Sequence, residues 1–125
     1  MKREAEAIQR IIDFEAQNQR DAVDISNESR GYDIESTHRA TEERRLIEVK
    51  SESVVQLTEN EYHTAELQAD EYYLYVVAGD ELKVVRDPVN QCHVAETERL
   101  ETRHQIQDWR EQAETFPLPP SRQGE

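Results

Sequence analysis

The sequence predicts an α/β sandwich in which a mixed sheet is flanked by helices, one on each face. Three observations lead to this fold class. Periodic segments follow one another in the order helix, three strands, helix and two strands. The segment 72–78 is an unbroken apolar run, which is typical of a central strand that is covered on both faces. Thr58 and Glu61 have the spacing of a capping box, which opens the second helix.

The first half of the chain supplies the first helix and three of the strands. Residues 2–17 place their apolar side chains on one stripe of a helix. Alternation of apolar and polar residues then predicts strands over 22–25, 32–36 and 44–50. Gly31 marks the polar turn before the second of these strands, and residues 38–43 form the hairpin loop before the third.

The second half of the chain completes the sheet. Its predicted elements, in order, are a helix from the capping box to about residue 69, a strand over 72–78, a hairpin partner over 81–86, an edge strand over 100–106 and a short helix over 108–114. Trp109 is expected to anchor that last helix. The proline-rich residues 116–125 are expected to form a flexible tail, so that one domain spans residues 1–115.

The charge of the chain is strongly unbalanced. It has 28 acidic against 15 basic residues, a net charge of −13, and only three lysines, at positions 2, 50 and 83. One interpretation is a partly disordered acidic chain. The other is a folded protein from a halophile, whose salty cytoplasm screens the self-repulsion. The shortage of lysine and the interleaving of acidic residues with arginine favour the halophile.

Composition also argues against several classes of protein. No apolar run approaches the ~20 residues of a membrane helix, so no membrane partner is expected. The single cysteine, Cys92, cannot form an internal disulfide or a multi-cysteine zinc site, which favours a reducing cytoplasm. Nonspecific nucleic-acid binders usually carry basic patches, and the net charge argues against that class.

Three residues on two neighbouring strands form the strongest candidate for a catalytic or metal-binding site. Alternation places Glu48 and Lys50 on one face of their strand, about 7 Å apart along it. If the strands that contain Asp33 and Glu48 pair, the two carboxylates converge at one end of the sheet. Two convergent carboxylates are a hard-oxygen site for Mg²⁺ or Mn²⁺. Lys50 on the same face can position or deprotonate a water molecule.

Six short motifs in a fixed order give the chain a family resemblance. They are Glu15, Gly31-Tyr32-Asp33-Ile34, Ile47-Glu48-Val49-Lys50, Leu57-Thr58-x-Asn60-Glu61, Tyr73-Leu74-Tyr75-Val76-Val77 and Asp87-Pro88. With Asp33 followed by Glu48-x-Lys50, the chain resembles the PD-(D/E)XK nuclease superfamily. Within it, the chain is most similar to the protein NO VEIN C-terminal domain family, an Mrr-like branch. The resemblance covers about residues 4–90. The sequence departs from the motif at one position, because Tyr32 stands where the superfamily name has proline.

The resemblance implies a restriction-endonuclease-like fold and a nuclease that hydrolyses DNA phosphodiester bonds, in restriction or defence. It implies that Asp33 and Glu48 bind Mg²⁺ or Mn²⁺ and that Lys50 is the catalytic lysine. It also implies that Glu15, in the first helix, helps to hold the metal. The expected partners are DNA, a second copy of the chain, or a protein such as a helicase or a methyltransferase.

Several assignments stay open from the residues alone. Gln56 lies just beyond Lys50 and can contact a phosphate, and Asn60 in the first helical turn faces either the cleft or solvent. Asp33 and Glu48 can be ordinary solvent-face carboxylates, with Lys50 as a salt-bridge partner. The domain can also be a non-catalytic DNA- or protein-binding module with the nuclease fold. A third alternative is an interaction protein that uses its proline-rich tail.

Overall fold

The fold is a mixed α/β arrangement, which a computed structural model describes for residues 2–98 and 100–121. The helices are α1 (Lys2–Gln17), α2 (Glu59–Gln68), α3 (Pro88–Gln91) and α4 (Trp109–Gln112). The strands are β1 (Arg20–Asp24), β2 (Ile34–His38), β3 (Arg44–Lys50), β4 (Gln56–Thr58), β5 (Tyr72–Ala78), β6 (Glu81–Arg86), β7 (Val94–Glu98), β8 (Thr102–Ile106) and β9 (Glu114–Pro117). Among these residues, no helix combines the length and the apolar character needed to cross a bilayer.

A six-stranded sheet in the order β1-β2-β3-β5-β6-β9 forms the centre of the molecule. All neighbouring strands in it run antiparallel except β3 and β5, which run parallel, so the predicted mixed sheet is confirmed. A parallel pair needs a crossover connection, and the segment that contains α2 provides it. β5 lies between β3 and β6 and is buried along most of its length, as the apolar run predicts.

Each face of this sheet packs against its own layer. On one face, Ile11 of α1 packs in a core that includes Ile47 of β3. On the other face, Ala65 of α2 and Trp109 pack in a second core around Leu46. Adjacent residues of β3 therefore belong to opposite cores, as strand alternation requires. The predicted helix on each face and the anchoring role of Trp109, which is 3% exposed, are confirmed.

A second sheet of three strands, β4-β8-β7, extends the layer that contains α2, and the sequence does not predict it. The expectation of an edge strand over 100–106 is wrong, because β8 is the middle strand and pairs with β4 on one side and β7 on the other. Leu57 and Ile106 of this sheet are buried in the second core. Local alternation cannot reveal the pairing of β4 with β8, because β4 is short and its partner lies far along the chain.

The C-terminal segment is built into the fold, which corrects the expectation of a flexible tail. Phe116 and Pro117 belong to β9, which pairs with β6 at the edge of the six-stranded sheet. Leu118 is buried in the core beneath α1. Arg10 Nε donates a 2.7 Å hydrogen bond to the carbonyl of Pro119. The expected boundary after residue 115 therefore falls within β9, and residues 122–125 lie outside the described part of the chain.

The loop before β2 is pressed against α2 at Gly31. This residue has φ +86°, and a Cβ at this position would lie 2.2 Å from Thr64 Oγ1 and 3.0 Å from the Asn60 carbonyl oxygen. The Gly31 carbonyl accepts a 2.8 Å hydrogen bond from the buried hydroxyl of Tyr72. Glycine alone suits both the backbone conformation and the close approach, so Gly31 fixes the loop that leads into Asp33.

Replacing Gly31 with alanine is expected to lower the free energy of unfolding by about 2–4 kcal/mol, because an unfavourable φ combines with steric overlap. Gly79→Ala is the matched control. Gly79 also has a positive φ, +62°, but nothing lies within 4 Å of a Cβ there. The control should therefore lose only about 1 kcal/mol. Urea unfolding of both variants measures the difference, and equal losses would contradict the packing of this loop on α2.

Candidate functional site

A polar cavity of about 310 Å³ opens where β3 ends and where α1 and α2 begin. Five carboxylates and one ammonium line it, from Glu4, Asp33, Glu48, Glu52, Glu61 and Lys50. The excess of carboxylates makes the cavity acidic. The three residues that the sequence predicts for the site, Asp33, Glu48 and Lys50, are therefore brought together in one cavity.

Pairing of β2 with β3 places Asp33 beside Glu48. The antiparallel register sets Ile34 opposite Ile47, so the next pair along is Asp33 and Glu48. Asp33 lies just before β2, and not in mid-strand as the sequence suggests, but its N–H still donates a 2.8 Å hydrogen bond to the Ile47 carbonyl. Asp33 Oδ2 accepts a 2.9 Å hydrogen bond from the Val49 N–H. These two contacts hold the Asp33 carboxylate against the end of β3.

The Glu48 carboxylate is buried with only part of its hydrogen-bonding capacity used. Its side chain is 4% exposed, and Oε1 has no hydrogen-bond partner within the described chain. Burial raises the pKa of Glu48 well above its ordinary range, and repulsion from Glu61 and Asp33 adds to the rise while Lys50 opposes it. Burial also raises the pKa of Asp33, although the Val49 N–H lowers it. A cation bound between Asp33 and Glu48 would stabilise both ionised carboxylates and so lower both raised pKa values.

Lys50 bridges two carboxylates at the rim of the cavity. Its Nζ lies 3.3 Å from Glu48 Oε2 and 3.2 Å from Glu61 Oε1, which confirms that Glu48 and Lys50 share a face of β3. Burial lowers the pKa of Lys50, but the carboxylates of Glu48 and Glu61 outweigh it and the pKa is raised overall. Lys50 is therefore a cation at neutral pH. That state suits it to orient a water or to neutralise a developing negative charge.

Glu61 is a member of the site that the sequence assigns only to a helix cap. The capping box is confirmed, because Glu61 N–H donates to Thr58 Oγ1 at 3.2 Å and Thr58 N–H donates to Glu61 Oε1 at 2.9 Å. The same Oε1 accepts a hydrogen bond from Lys50 Nζ. The capping spacing is visible in the sequence, but nothing local shows that the cap faces a cavity. Glu4, in the first turn of α1, is a second cavity residue that sequence reasoning missed.

The structure does not bring Glu15 to the cavity, which corrects its expected role in holding a metal. Glu15 is fully buried elsewhere, and its Oε1 accepts a 2.8 Å hydrogen bond from the Ser36 hydroxyl and lies 3.4 Å from Arg20 Nε. Its Oε2 accepts a 3.0 Å hydrogen bond from the Tyr75 hydroxyl. The physical reason is the rise of the helix, because eleven residues at 1.5 Å each separate Glu15 from Glu4 by about 16 Å.

The two expected substrate contacts, Gln56 and Asn60, also lie away from the cavity. Gln56 is exposed on β4, where it pairs with Gln105 and lines a different depression with Arg103. The chain turns into the second sheet after Lys50, which carries Gln56 away. Asn60 is exposed, and its Nδ2 donates a 3.1 Å hydrogen bond to the Ser29 carbonyl. Its amide is therefore used to tie α2 to the loop before β2.

The residues of the cavity fit a divalent cation held by two carboxylates. Across residues 2–98 and 100–121, no three side chains of His, Cys, Asp or Glu are grouped so that they could hold a metal ion. Mg²⁺ needs fewer protein ligands, because it usually keeps several waters and binds through one or two carboxylates. Asp33 and Glu48 would supply these oxygens, and the unpartnered Glu48 Oε1 is an acceptor still available.

The comparison with known proteins matches the part of the chain that contains the cavity. A family model described as Protein NO VEIN, C-terminal, matches residues 3–88. The match covers more than half of the chain and contains every residue that lines the cavity. No curated protein and no solved structure matches the chain.

Replacing Glu48 with glutamine is expected to stabilise the protein at neutral pH, by on the order of 1 kcal/mol. The folded protein keeps a proton on Glu48 at pH values where the unfolded chain has released it. Stability of the native protein therefore falls as pH rises from about 4.5 through the raised pKa of Glu48. The advantage of the variant should disappear as pH falls toward 4.5.

Urea unfolding between pH 4 and pH 8 measures this dependence. Glu96→Gln, an exposed position on β7 of the second sheet, is the matched control and should follow the native profile. A Glu48→Gln variant that is less stable than the native protein at pH 8 would contradict the assignment of Glu48 as a destabilised buried carboxylate.

Proposed function

The chain belongs to the family described as Protein NO VEIN, C-terminal, and from this premise we propose that it is a metal-dependent nuclease of the PD-(D/E)XK type. Its substrate would be DNA, whose phosphodiester bonds it hydrolyses, and its six-stranded sheet would be a variant of the restriction-endonuclease fold. The observation that carries the proposal is the convergence of Asp33, Glu48 and Lys50 in one acidic cavity. The order of these residues in the chain agrees with the superfamily motif.

Each of the three residues has a task that its surroundings suit. The Val49 N–H holds the Asp33 carboxylate, and Glu48 is buried on β3 with its Oε2 3.3 Å from Lys50 Nζ, so both carboxylates are positioned to hold Mg²⁺ or Mn²⁺. The bound ion would lower the pKa of a water and offset the negative charge of the phosphate. Lys50 orients that water and stabilises the charge that develops on phosphate oxygens. In the hydrolysis, the water releases one proton to solvent as its oxygen bonds to phosphorus, one ester P–O bond breaks, and the leaving oxygen takes up a proton from solvent.

Substitution of these residues is expected to separate catalysis from folding. Asp33→Asn and Glu48→Gln should each reduce plasmid cleavage with Mg²⁺ or Mn²⁺ at least ~1000-fold, because the ion loses a ligand, and Lys50→Met should reduce it ~100-fold or more. Glu96→Gln, an exposed position that does not line the cavity, is the matched control and should cleave like the native protein. Cleavage that survives both carboxylate substitutions would contradict the proposal.

The alternative function is a non-catalytic module that binds DNA or a protein with the same fold. One observation favours it. Among the described side chains, every arginine and lysine except Arg110 forms an ion pair with a carboxylate, so few free cations face a phosphate backbone. DNA binding by the native protein with no cleavage in Mg²⁺ or Mn²⁺ selects this alternative. In either case, a second copy, a helicase or a methyltransferase would supply added specificity.

The acidity fits a protein that works in concentrated salt, as in a halophile. A net charge of −13 destabilises the compact state through self-repulsion, and molar salt shortens the Debye length to about 3 Å. Raising KCl from 0.1 to 2 M at pH 7 is therefore expected to increase the melting temperature by roughly 5 °C or more. The same titration near pH 4 is the control, because carboxylates that have taken up protons no longer repel. Equal melting temperatures across the pH 7 series would contradict this proposal.

A further inference from the structure

Lys50 is shared between two carboxylates that come from different parts of the fold. Glu48 is its neighbour on the same face of β3, whereas Glu61 belongs to the first turn of α2. The distances from Nζ are 3.3 Å to Glu48 Oε2 and 3.2 Å to Glu61 Oε1. Because the two distances are almost equal, the ammonium is shared between the two carboxylates and is not paired with Glu48 alone.

Because Lys50 is shared, one oxygen of the Glu48 carboxylate stays available to another cation. Lys50 engages Oε2, while Oε1 of the same buried carboxylate has no hydrogen-bond partner within the described residues. An ammonium that lost its contact with Glu61 would be free to pair with both oxygens of Glu48. It would then cover the acceptor that a divalent cation needs and would neutralise the charge that attracts that cation.

We propose that Glu61 is a positioning residue that holds Lys50 toward α2 and so keeps Glu48 Oε1 open for a divalent cation. The inference rests on the proposed function, because it concerns the ion that Asp33 and Glu48 would hold. Glu61 is assigned to positioning because its Oε1 accepts hydrogen bonds from both Thr58 N–H and Lys50 Nζ, which ties the ammonium to the start of α2.

The position of Glu61 is itself set by the packing of α2. The capping box fixes its side chain to the start of the helix, and Ala65, one turn later, is fully buried in the second core. The loop at Gly31 abuts the same helix at Thr64. A lysine on the central sheet is therefore positioned by a helix that packs on the sheet's face, through one carboxylate.

A double-mutant cycle separates positioning from a simple effect of charge. Mn²⁺ binding is measured by titration calorimetry for the native protein, Glu61→Gln, Lys50→Met and the double variant. Glutamine still suits this position of a capping box, so the start of α2 is kept, and circular dichroism verifies the fold. Glu66→Gln is the matched control, because Glu66 is exposed on the same helix and does not line the cavity.

Glu61→Gln is expected to weaken Mn²⁺ binding roughly tenfold in the native background. In the Lys50→Met background the loss should be at least ~3-fold smaller, because no ammonium remains to cover Glu48. Glu61→Asp should also weaken binding, since it keeps the charge but is one methylene too short to reach both Thr58 and Lys50. Glu66→Gln should keep the native affinity within about twofold.

Equal losses in the two backgrounds, or native affinity in Glu61→Asp, would overturn the inference and make Glu61 a source of charge alone. A native protein that binds no Mn²⁺ would overturn the proposed cation site and this inference with it. The two failures are distinguishable, because only the second is seen before any residue is replaced.

Discussion

The burial of Glu48 on the central strand β3 is the constraint around which the site is built. A carboxylate that is almost out of contact with water is costly unless charge and hydrogen bonds compensate it. Here the compensation is incomplete, because Lys50 engages one oxygen and the other has no partner within the described residues. The neighbouring Asp33 adds repulsion, since the register of β2 and β3 sets it beside Glu48. A carboxylate pair in this state favours a cation.

The contrast with Glu15 shows what a structural carboxylate looks like in the same protein. Glu15 is at least as deeply buried as Glu48, but Ser36, Tyr75 and Arg20 together engage both of its oxygens. It belongs to a satisfied network between α1 and the sheet, and it lines no part of the acidic cavity. Burial is therefore shared by both residues, and the unmet hydrogen-bonding capacity distinguishes Glu48. That difference supports a ligand-binding role for Glu48 and a stabilising role for Glu15.

The sequence predicts those parts of the fold and the site that local patterns govern. The alternation of β3 places Glu48 and Lys50 on one face, and the spacing of Thr58 and Glu61 predicts the start of α2. The family resemblance assigns Glu15 of α1 to the site, but neither that resemblance nor helical periodicity tells at which point along α1 the site lies. That point depends on how α1 crosses the sheet, and the crossing brings Glu4 and not Glu15 to the cavity.

The errors beyond residue 90 have a common physical cause, which is pairing between strands that are distant in sequence. β8 pairs with β4 and β7, and β9 pairs with β6. The composition of β8 or of β9 therefore does not predict where that strand lies in a sheet. Prolines at the end of β9 suggest a tail, yet an edge strand tolerates them. Glu61 joins the cavity for a similar reason, because α2 is placed by contacts with Gly31 and with the second core.

An anomalous difference map from a crystal soaked in Mn²⁺ shows most directly whether the cavity is a metal site. We predict a peak in contact with carboxylate oxygens of both Asp33 and Glu48, and no peak at Glu15. A map without a peak in the cavity, or with Mn²⁺ only at surface carboxylates, would contradict the interpretation of Glu48 as a ligand of a divalent cation.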